Sequence, residues 1–369
     1  MMMTRAFGYI YAITTALLFT AQLASVAGAD PLDEPGKSGE LIVASMTNGA
    51  APESPDDPAW SGAGFANIEL YPQISVQPAS APGKSEVKIK AVYSAGELAI
   101  YAEWKDDQPS LKHDIGKFPD SFAIEFPFSF GAGKRLPYIG MGDPGQPVAV
   151  ILWKAGDKVE TLEAEGFGSL TPMALDGVKA KGVWRDGVWR VTITLKLAGL
   201  AGLAGLAGKD GGSKFSIDPA NSGLLPVAFA VWRGDKQERD GKKSLSSWKF
   251  LRFTGAAPDP EYIKSLAWAP EGKGDAKKGK ALMISAGCAD CHTYPGSKEK
   301  PTDGPNLTFA GGIHRPQYLL DSMLRPSLVI VPKSEYYTIE EGKKESIMPD
   351  PYFTKKDAVN IVEYLRTLR

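Results

Sequence analysis

Two hydrophobic patterns divide the chain. Over its first two thirds, short apolar runs rich in β-branched and aromatic residues are separated by turn formers such as Arg233-Gly234-Asp235. This pattern is typical of many short antiparallel strands in a sandwich or barrel. We therefore predict an all-β domain over residues 38–255, with strands near residues 40–45, 67–71, 86–93, 98–104, 121–126, 148–153, 182–184, 189–197, 226–232 and 246–253.

Two segments of this domain have a clear local pattern. In Arg185-Asp186-Gly187-Val188, the Asp-Gly pair favours a type I′ turn, which joins two Trp-containing strands into a hairpin. The segment 197–208 consists of four tandem copies of Leu-Ala-Gly. A period of three matches neither a strand nor a helix, and glycine weakens a helix, so we predict a surface loop or a frayed helix there.

The last quarter of the chain follows a helical pattern instead. A linker rich in Pro, Gly and charge is predicted at residues 256–273. Asp275 is placed to cap a helix that ends at Gly287, and Thr354 with Asp357 forms a capping signature before a second helix. Both segments repeat apolar residues at helical spacing, so we predict an all-α domain over residues 274–369.

Gly279 lies on the apolar face of the first of these helices. Without a side chain, it would let that helix cross close to the last helix near Tyr364. The alternative is a glycine in a frayed first turn, and the sequence does not decide between the two.

The chain has only two cysteines, and they stand in the segment Cys288-Ala289-Asp290-Cys291-His292. Two thiols three positions apart can each bond one vinyl group of a porphyrin while the next imidazole binds its iron, so this motif predicts covalent haem c. A redox pair or half of a zinc site fits poorly, because the other histidines, His113 and His314, have no metal-ligand spacing.

The N-terminus has the pattern of an export signal. Arg5 precedes a mostly apolar run, and Ala27-Gly28-Ala29 is a small-x-small cleavage pattern, so we predict a signal peptide at residues 1–29. After its removal we expect no membrane span and a periplasmic or equivalent extracytoplasmic location, where bacteria attach haem covalently. With both cysteines bound to haem, no disulfide is expected. The formal net charge of −1 gives no indication of a nucleic-acid partner.

Two stretches of the β domain stand out by their composition. One is the glycine-rich turn around Met141, and the other runs from a strand at Pro226 through a charged loop to Trp248. Methionine sulfur is a suitable ligand for haem iron, but a methionine is more often core filler and a charge run is usually a solvated loop. The residues alone leave both interpretations open.

The same stretches carry a resemblance to known proteins. The segments Leu70–Gln73, Tyr138–Pro144, Ala228–Trp232 and Glu238–Ser244, with Trp248, resemble the haem-b-binding gamma subunits of type II dimethyl sulfoxide reductase family enzymes. These enzymes include ethylbenzene and dimethylsulfide dehydrogenases and selenate and chlorate reductases. The resemblance implies a β-sandwich that holds a non-covalent haem b with one methionine and one lysine as iron ligands.

Within that family, the implied ligands correspond to Met141 and Lys243 in this chain, with Lys242 as the near rival. A lysine amine binds iron only in its neutral form. Burial beside a metal cation lowers the amine pKa and so favours that form.

Residues 275–369 resemble a class I cytochrome c. The resemblance rests on the haem motif with Gly304-Pro305-Asn306-Leu307 after it and Ser346-Ile347-Met348-Pro349 before the last helix. It implies that His292 and Met348 are the two iron ligands, with Met323 and His314 as rivals for the second position. With both axial positions filled, the iron carries electrons and does not bind substrate.

Together the two resemblances imply a diheme electron-transfer subunit with no catalytic residues of its own. The implied partners are an iron-sulfur beta subunit, a molybdenum catalytic alpha subunit and a soluble acceptor cytochrome. A haem b sandwich fused to a haem c domain most resembles the gamma subunits of nitrite oxidoreductases. The alternatives are a free-standing diheme carrier, or a carbohydrate-binding sandwich tethered to a cytochrome.

Overall fold

A computed structural model describes residues 40–74, 83–94, 96–112, 114–197, 223–297, 301, 303–331, 334–349 and 353–369. The predicted signal peptide, His113 and all but the first residue of the Leu-Ala-Gly segment lie outside these residues. Among the described helices, none combines the length and the apolar character needed to cross a bilayer.

The first part of the chain is the expected all-β sandwich. Its thirteen strands are β1 Leu41–Met46, β2 Ala66–Pro72, β3 Ser85–Tyr93, β4 Glu97–Lys105, β5 Ser121–Pro127, β6 Val148–Lys154, β7 Lys158–Ala164, β8 Thr171–Pro172, β9 Lys179–Arg185, β10 Val188–Lys196, β11 Leu224–Trp232, β12 Ser244–Leu245 and β13 Lys249–Phe253. Eleven of them pair in the order β8-β7-β6-β5-β11-β12-β2-β3-β4-β10-β9. The other two, β1 and β13, pair with each other, and β1 also pairs with β3 and β13 with β11. The predicted hairpin is confirmed, since Asp186 and Gly187 have φ of 55° and 72°.

The main core lies between the two layers of the sandwich. Alternate residues of β5, β6 and β11 meet alternate residues of β3, β4 and β10, and the shared cluster includes Phe122, Trp153 and Phe229 from one layer and Ile100 and Trp189 from the other. Strands β5, β6 and β11 lie side by side in one layer. One face of these strands enters the main core, so their second face is free to line something else.

The C-terminal part is helical, as predicted. Its helices are α1 Pro260–Leu266, α2 Ala276–Ser285, α3 Ala310–Ile313, α4 Pro316–Leu324 and α5 Lys355–Leu365, and a small hairpin of β14 Tyr337–Glu340 and β15 Lys343–Ser346 precedes α5. Helix α1 falls within the range predicted as a linker, and its buried Tyr262 packs against Phe250 of the sandwich.

Both predicted helix caps are present. The Asp275 carboxylate accepts hydrogen bonds from the backbone N–H groups of the first turn of α2, and Thr354 with Asp357 forms a reciprocal capping box on α5. The close crossing at Gly279 is confirmed, since an added Cβ would lie 1.9 Å from the carbonyl oxygen of Asn360. The crossing lies at Asn360, one turn before the expected Tyr364, and the Asn360 side chain also accepts a hydrogen bond from the Asp275 backbone N–H at 2.9 Å.

Two candidate haem sites

The two cysteines lie on a short turn directly after α2. Gly287 ends the helix with φ of 69°, residues Cys288–Asp290 form a single 3₁₀ turn, and the backbone N–H of His292 donates to the carbonyl of Cys288 at 2.9 Å. Cys288 packs against the helical core, and burial raises the pKa of its thiol. The turn presents both thiols and the imidazole within one stretch of five residues, as the haem motif requires.

The imidazole of His292 is held in one orientation by the chain after the motif. Its Nδ1 lies 2.8 Å from the carbonyl oxygen of Pro305. A carbonyl only accepts, so Nδ1 carries the proton and Nε2 keeps the lone pair that binds iron. Burial lowers the pKa of His292, which favours this neutral form. A Cβ at Gly304 would lie 2.8 Å from Nδ1, so the glycine leaves room for the ring.

Met348 follows the β14–β15 hairpin and packs, partly buried, against the same helical core as Cys288. Its backbone N–H donates to the Ser346 hydroxyl at 3.2 Å. The rival Met323 is a buried member of that core on α4. The rival His314 lies on another side of the domain, where its ring stacks on Tyr318.

The second face of the sandwich forms the wall of a cavity of about 700 Å³. Small and apolar side chains from β5, β6 and β11 line it, and the loops around residues 139–141 and 238–243 enclose its sides. The wall residues include Ala123, Val150, Leu152, Ala228 and Ala230. A large apolar pocket with a few polar groups is typical of a cofactor site.

Met141 reaches this cavity from a strained turn. Its φ is 69°, a conformation that a non-glycine residue adopts only when its surroundings impose it. The buried carboxylate of Asp143 imposes it here, because it accepts from the Tyr138 backbone N–H at 2.7 Å and from the Arg135 guanidinium at 2.6 and 3.1 Å. These hydrogen bonds of Asp143 thus fix the turn that places Met141 at the cavity wall.

Lys243 lines the same cavity, about one hundred positions further along the chain. Its side chain is buried, its Nζ lies 5.1 Å from the centre of the Trp232 ring, and burial lowers the pKa of its amine. Its rival Lys242 does not line the cavity and donates to the carbonyl of Lys236 at 3.0 Å. The structure therefore brings together Met141 and Lys243, the pair that the resemblance implies.

Glu125 is a cavity residue that sequence reasoning did not identify. It lies on β5 and lines the same wall as Met141 and Lys243. Burial raises its pKa to about 8, and the nearby Lys243 amine opposes that rise. Its sequence signal was present, since it is the one charged residue in the run Ser121-Phe122-Ala123-Ile124-Glu125-Phe126.

The helical domain closes against the cavity side of the sandwich. Three aromatic rings contact one another here. The centroid of His314 lies 5.9 Å from that of Tyr138 of the Met141 turn and 4.5 Å from that of Tyr318 of α4, and the two tyrosine rings lie 5.5 Å apart. Burial lowers the pKa of His314 to about 4, so the ring is neutral. His314 and Lys243 line one small cleft, which places a residue of the helical domain at the edge of the sandwich cavity.

Helix α4 is shared between the two halves. Leu319, Leu320 and Met323 are buried in the helical core, and Tyr318 packs against both that core and the cluster around the sandwich cavity. Arg315 strengthens the contact, since its guanidinium lies 3.4 Å from the carboxylate of Glu40 and 5.1 Å above the Phe250 ring.

Comparison with known proteins agrees with these two sites. The Ethylbenzene dehydrogenase family model matches residues 57–169, which include the Met141 turn, and the Cytochrome c family model matches residues 276–369, which include the haem motif and Met348. The protein combines an ethylbenzene dehydrogenase-family domain with a cytochrome c domain. A cytochrome c domain supports the covalent haem c that the cysteine motif predicts.

Two relatives resemble more than half of the chain. The chlorate reductase subunit gamma of Ideonella dechloratans is 29% identical over 250 residues, which are 66% of this chain and 95% of that protein. The dimethylsulfide dehydrogenase subunit gamma of Rhodovulum sulfidophilum is 27% identical over 224 residues, 57% of this chain and 78% of that protein. The solved structure of a family 9 carbohydrate binding module from Caldicellulosiruptor kristjanssonii matches 59% of this chain and 98% of that module at 11% identity, with a TM-score of 0.36.

Proposed function

We propose that this chain is the diheme electron-transfer subunit of an exported molybdenum oxidoreductase complex. The observation that carries the proposal is the position of Met141 and Lys243, which line one apolar cavity in a chain that also has a complete haem c motif. Haem iron supplies reversible one-electron transfer at each site. In our proposal no bond-making chemistry takes place on this chain.

The C-terminal site would hold haem c through Cys288 and Cys291, with His292 and Met348 as the iron ligands. The residues fit this role. Pro305 fixes the imidazole tautomer that leaves Nε2 free, and Met348 packs against the same core as Cys288. A methionine and histidine pair favours the reduced iron and gives a higher potential than two nitrogen ligands.

The cavity of the sandwich would hold haem b, with Met141 and Lys243 as ligands. Iron needs the lysine amine without its extra proton, and burial of Lys243 already lowers its pKa in that direction. The pair requires two protein segments to meet across the cavity, which explains why Asp143 and Arg135 fix the strained Met141 turn.

The stack of Tyr138, His314 and Tyr318 supports a relay between the two cofactors. It is a continuous packed path from the Met141 turn to α4, and α4 in turn contributes to the core that surrounds the haem motif.

The relatives suggest the partners. The matched relatives are the gamma subunits of chlorate reductase and dimethylsulfide dehydrogenase. We therefore infer an iron-sulfur beta subunit and a molybdenum alpha subunit as partners here. The fused cytochrome c domain favours nitrite oxidoreductase as the complex, with a soluble cytochrome as acceptor. The N-terminal pattern supports a periplasmic or equivalent extracytoplasmic location. Purification of the complex from its source, followed by assay of nitrite-dependent acceptor reduction, tests this assignment.

Haem content tests the central proposal. A pyridine haemochrome spectrum of the purified chain should show one haem b and one haem c, and acid acetone should extract only haem b. Lys243→Ala should lose the extractable haem while keeping the covalent one, and the neighbouring Lys242→Ala should keep both. This matched pair separates a ligand from a general loss of positive charge.

Other outcomes would favour other functions. A wild-type chain with covalent haem alone would contradict the haem b site and favour a binding sandwich tethered to a cytochrome. Two haems in a chain that purifies from its source without a molybdenum subunit would favour a free-standing carrier.

A further inference from the structure

Three aspartates meet at one end of the sandwich, and none of them lines its cavity. Asp106 directly follows β4, Asp120 directly precedes β5, and Asp235 lies in the short turn after β11. One carboxylate oxygen from each lies within 4.8 Å of the other two. They come from both layers of the sandwich, so the cluster is made by the fold and not by one loop.

Asp106 provides a separate sign that a ligand is missing. Its side chain is 5% exposed, and its Oδ2 is buried without a hydrogen-bond partner among the described residues. Its Oδ1 accepts only a 3.2 Å contact from the Gln108 backbone N–H. A buried carboxylate oxygen without a partner costs free energy, and such groups are rare in folded proteins.

Asp120 is fully buried and is already fixed in place. It accepts from the backbone N–H groups of Ser110 at 2.6 Å and Gly234 at 2.8 Å and from the indole of Trp189 at 2.9 Å. Two carboxylate oxygens offer about four acceptor positions, so one remains for a further contact. Asp120 is thus a rigid and preorganised ligand.

Among the described residues, protein cations balance the charge of the cluster only in part. Burial, and then the neighbouring Asp120, raise the pKa of Asp106 to about 7, and Arg233 opposes this only weakly. Lys236 lies 3.4 Å from Asp235, at the exposed side of the cluster. Two buried carboxylates with a third at the solvent edge form an acidic pocket with an open entrance.

We propose that Asp106, Asp120 and Asp235 bind a hard divalent cation, with Ca²⁺ as the ion of matching chemistry. Ca²⁺ prefers carboxylate oxygens and accepts a flexible set of ligands, which water and backbone carbonyls complete. The bound ion joins the end of β4 to the start of β5 and to the turn after β11. That turn leads into the loop that ends at Lys243, so the ion also stiffens one side of the cavity.

Calcium binding to the purified chain tests the proposal. After treatment with a chelator, wild-type protein should bind a single Ca²⁺ in calorimetry and in metal analysis. Asp106→Asn should weaken Ca²⁺ binding by at least about tenfold, because it removes a charged ligand at nearly constant volume. Asp107→Asn is the matched control, since Asp107 is the exposed neighbour outside the cluster, and it should bind as wild type does.

Thermal unfolding gives a second readout. In chelator, Asp106→Asn should be more stable than wild type, because it removes repulsion between buried carboxylates, and Ca²⁺ should reverse this order. Asp235→Asn, an exposed substitution that leaves the core intact, provides a second variant and should also lose affinity. No binding of Ca²⁺ to the wild type, or equal binding to wild type and both cluster variants, would overturn the proposal.

Discussion

Gly312 offers a direct test of how the two domains meet. It belongs to α3 of the cytochrome c domain and faces Tyr71 of β2 in the sandwich. A Cβ at this position would lie 2.3, 2.4 and 2.6 Å from three carbons of the Tyr71 ring, where ordinary contact is 3.4–4 Å. Gly312→Ala therefore forces the ring and α3 apart by roughly the difference, which is more than 1 Å.

The ring cannot move aside at low cost. Tyr71 is 2% exposed, its hydroxyl donates to Glu69 at 2.5 Å, and its ring packs against Phe309 at 5.8 Å. Overpacking of such a site costs about 1–3 kcal/mol. For domains of this size, each kcal/mol lowers the midpoint of thermal unfolding by about 2–4 °C.

The variant should keep both haems but unfold at a lower temperature and transfer electrons between the haems more slowly. Calorimetry and flash reduction of one haem measure the two effects. Gly64→Ala is the matched control, because no atom lies within 4 Å of its added Cβ, and it should be neutral or slightly stabilising. In a Tyr71→Leu background the cost of Gly312→Ala should shrink, since the smaller side chain leaves space. An unfolding midpoint equal to that of Gly64→Ala would refute the contact between the domains.

Three further predictions follow from the packing. Gly279→Ala should destabilise the cytochrome c domain in thermal melts by about 1–3 kcal/mol or more, because its Cβ would collide with the Asn360 carbonyl. Burial lowers the pKa of Lys249 to about 8, so above that pH the unfolded chain binds more protons than the folded chain. The free energy of unfolding measured in urea should therefore rise by about 1–3 kcal/mol from pH 8 to 10.5. The Lys249→Met variant should abolish this rise. Asp143→Asn should weaken the turn that holds Met141, and haem assays should then show less haem b with unchanged haem c.

Each of these predictions has a clear contrary result. Unchanged melting of Gly279→Ala beside the exposed control Lys280→Ala would mean that the helices do not cross closely. A pH slope that persists in Lys249→Met would assign the titration to another group. Full haem b content in Asp143→Asn would show that the Met141 turn does not need its carboxylate.

Local sequence patterns predicted most of the sandwich. Strands such as β3, β4 and β10 alternate strongly and were placed within one residue at each end. Strand β7, Lys158–Ala164, was missed because its sequence Lys-Val-Glu-Thr-Leu-Glu-Ala is largely polar, and pairing with β6 rather than local propensity makes it a strand. The expected strand at residues 246–253 is shorter than predicted and spans Lys249–Phe253. Residues 246–248 lie outside it, and the Trp248 indole donates to the Pro137 carbonyl.

The candidate sites show the same limit. The covalent haem motif is contiguous, so five residues were enough to predict it. The pairing of Met141 with Lys243 depends on a fold that joins distant segments, and only a resemblance to known proteins indicated it. Glu125 was not identified although it is the one charged residue in an apolar strand run. The three clustered aspartates were not found, because nothing in a linear sequence tells which distant carboxylates will be buried together.

Helix α4 has a consequence for how the two halves communicate. Leu319 is buried in the helical core and Tyr318 also contacts the cluster around the sandwich cavity, so a shift of the helix that suits one domain is imposed on its neighbour. Thermodynamic linkage is reciprocal. If a molecule binds one domain more tightly in one position of the helix and thereby changes the affinity of the other domain for its own partner, that partner changes the affinity for the first molecule by the same factor. A subunit or acceptor that docks at either end would thereby alter the opposite end without touching it.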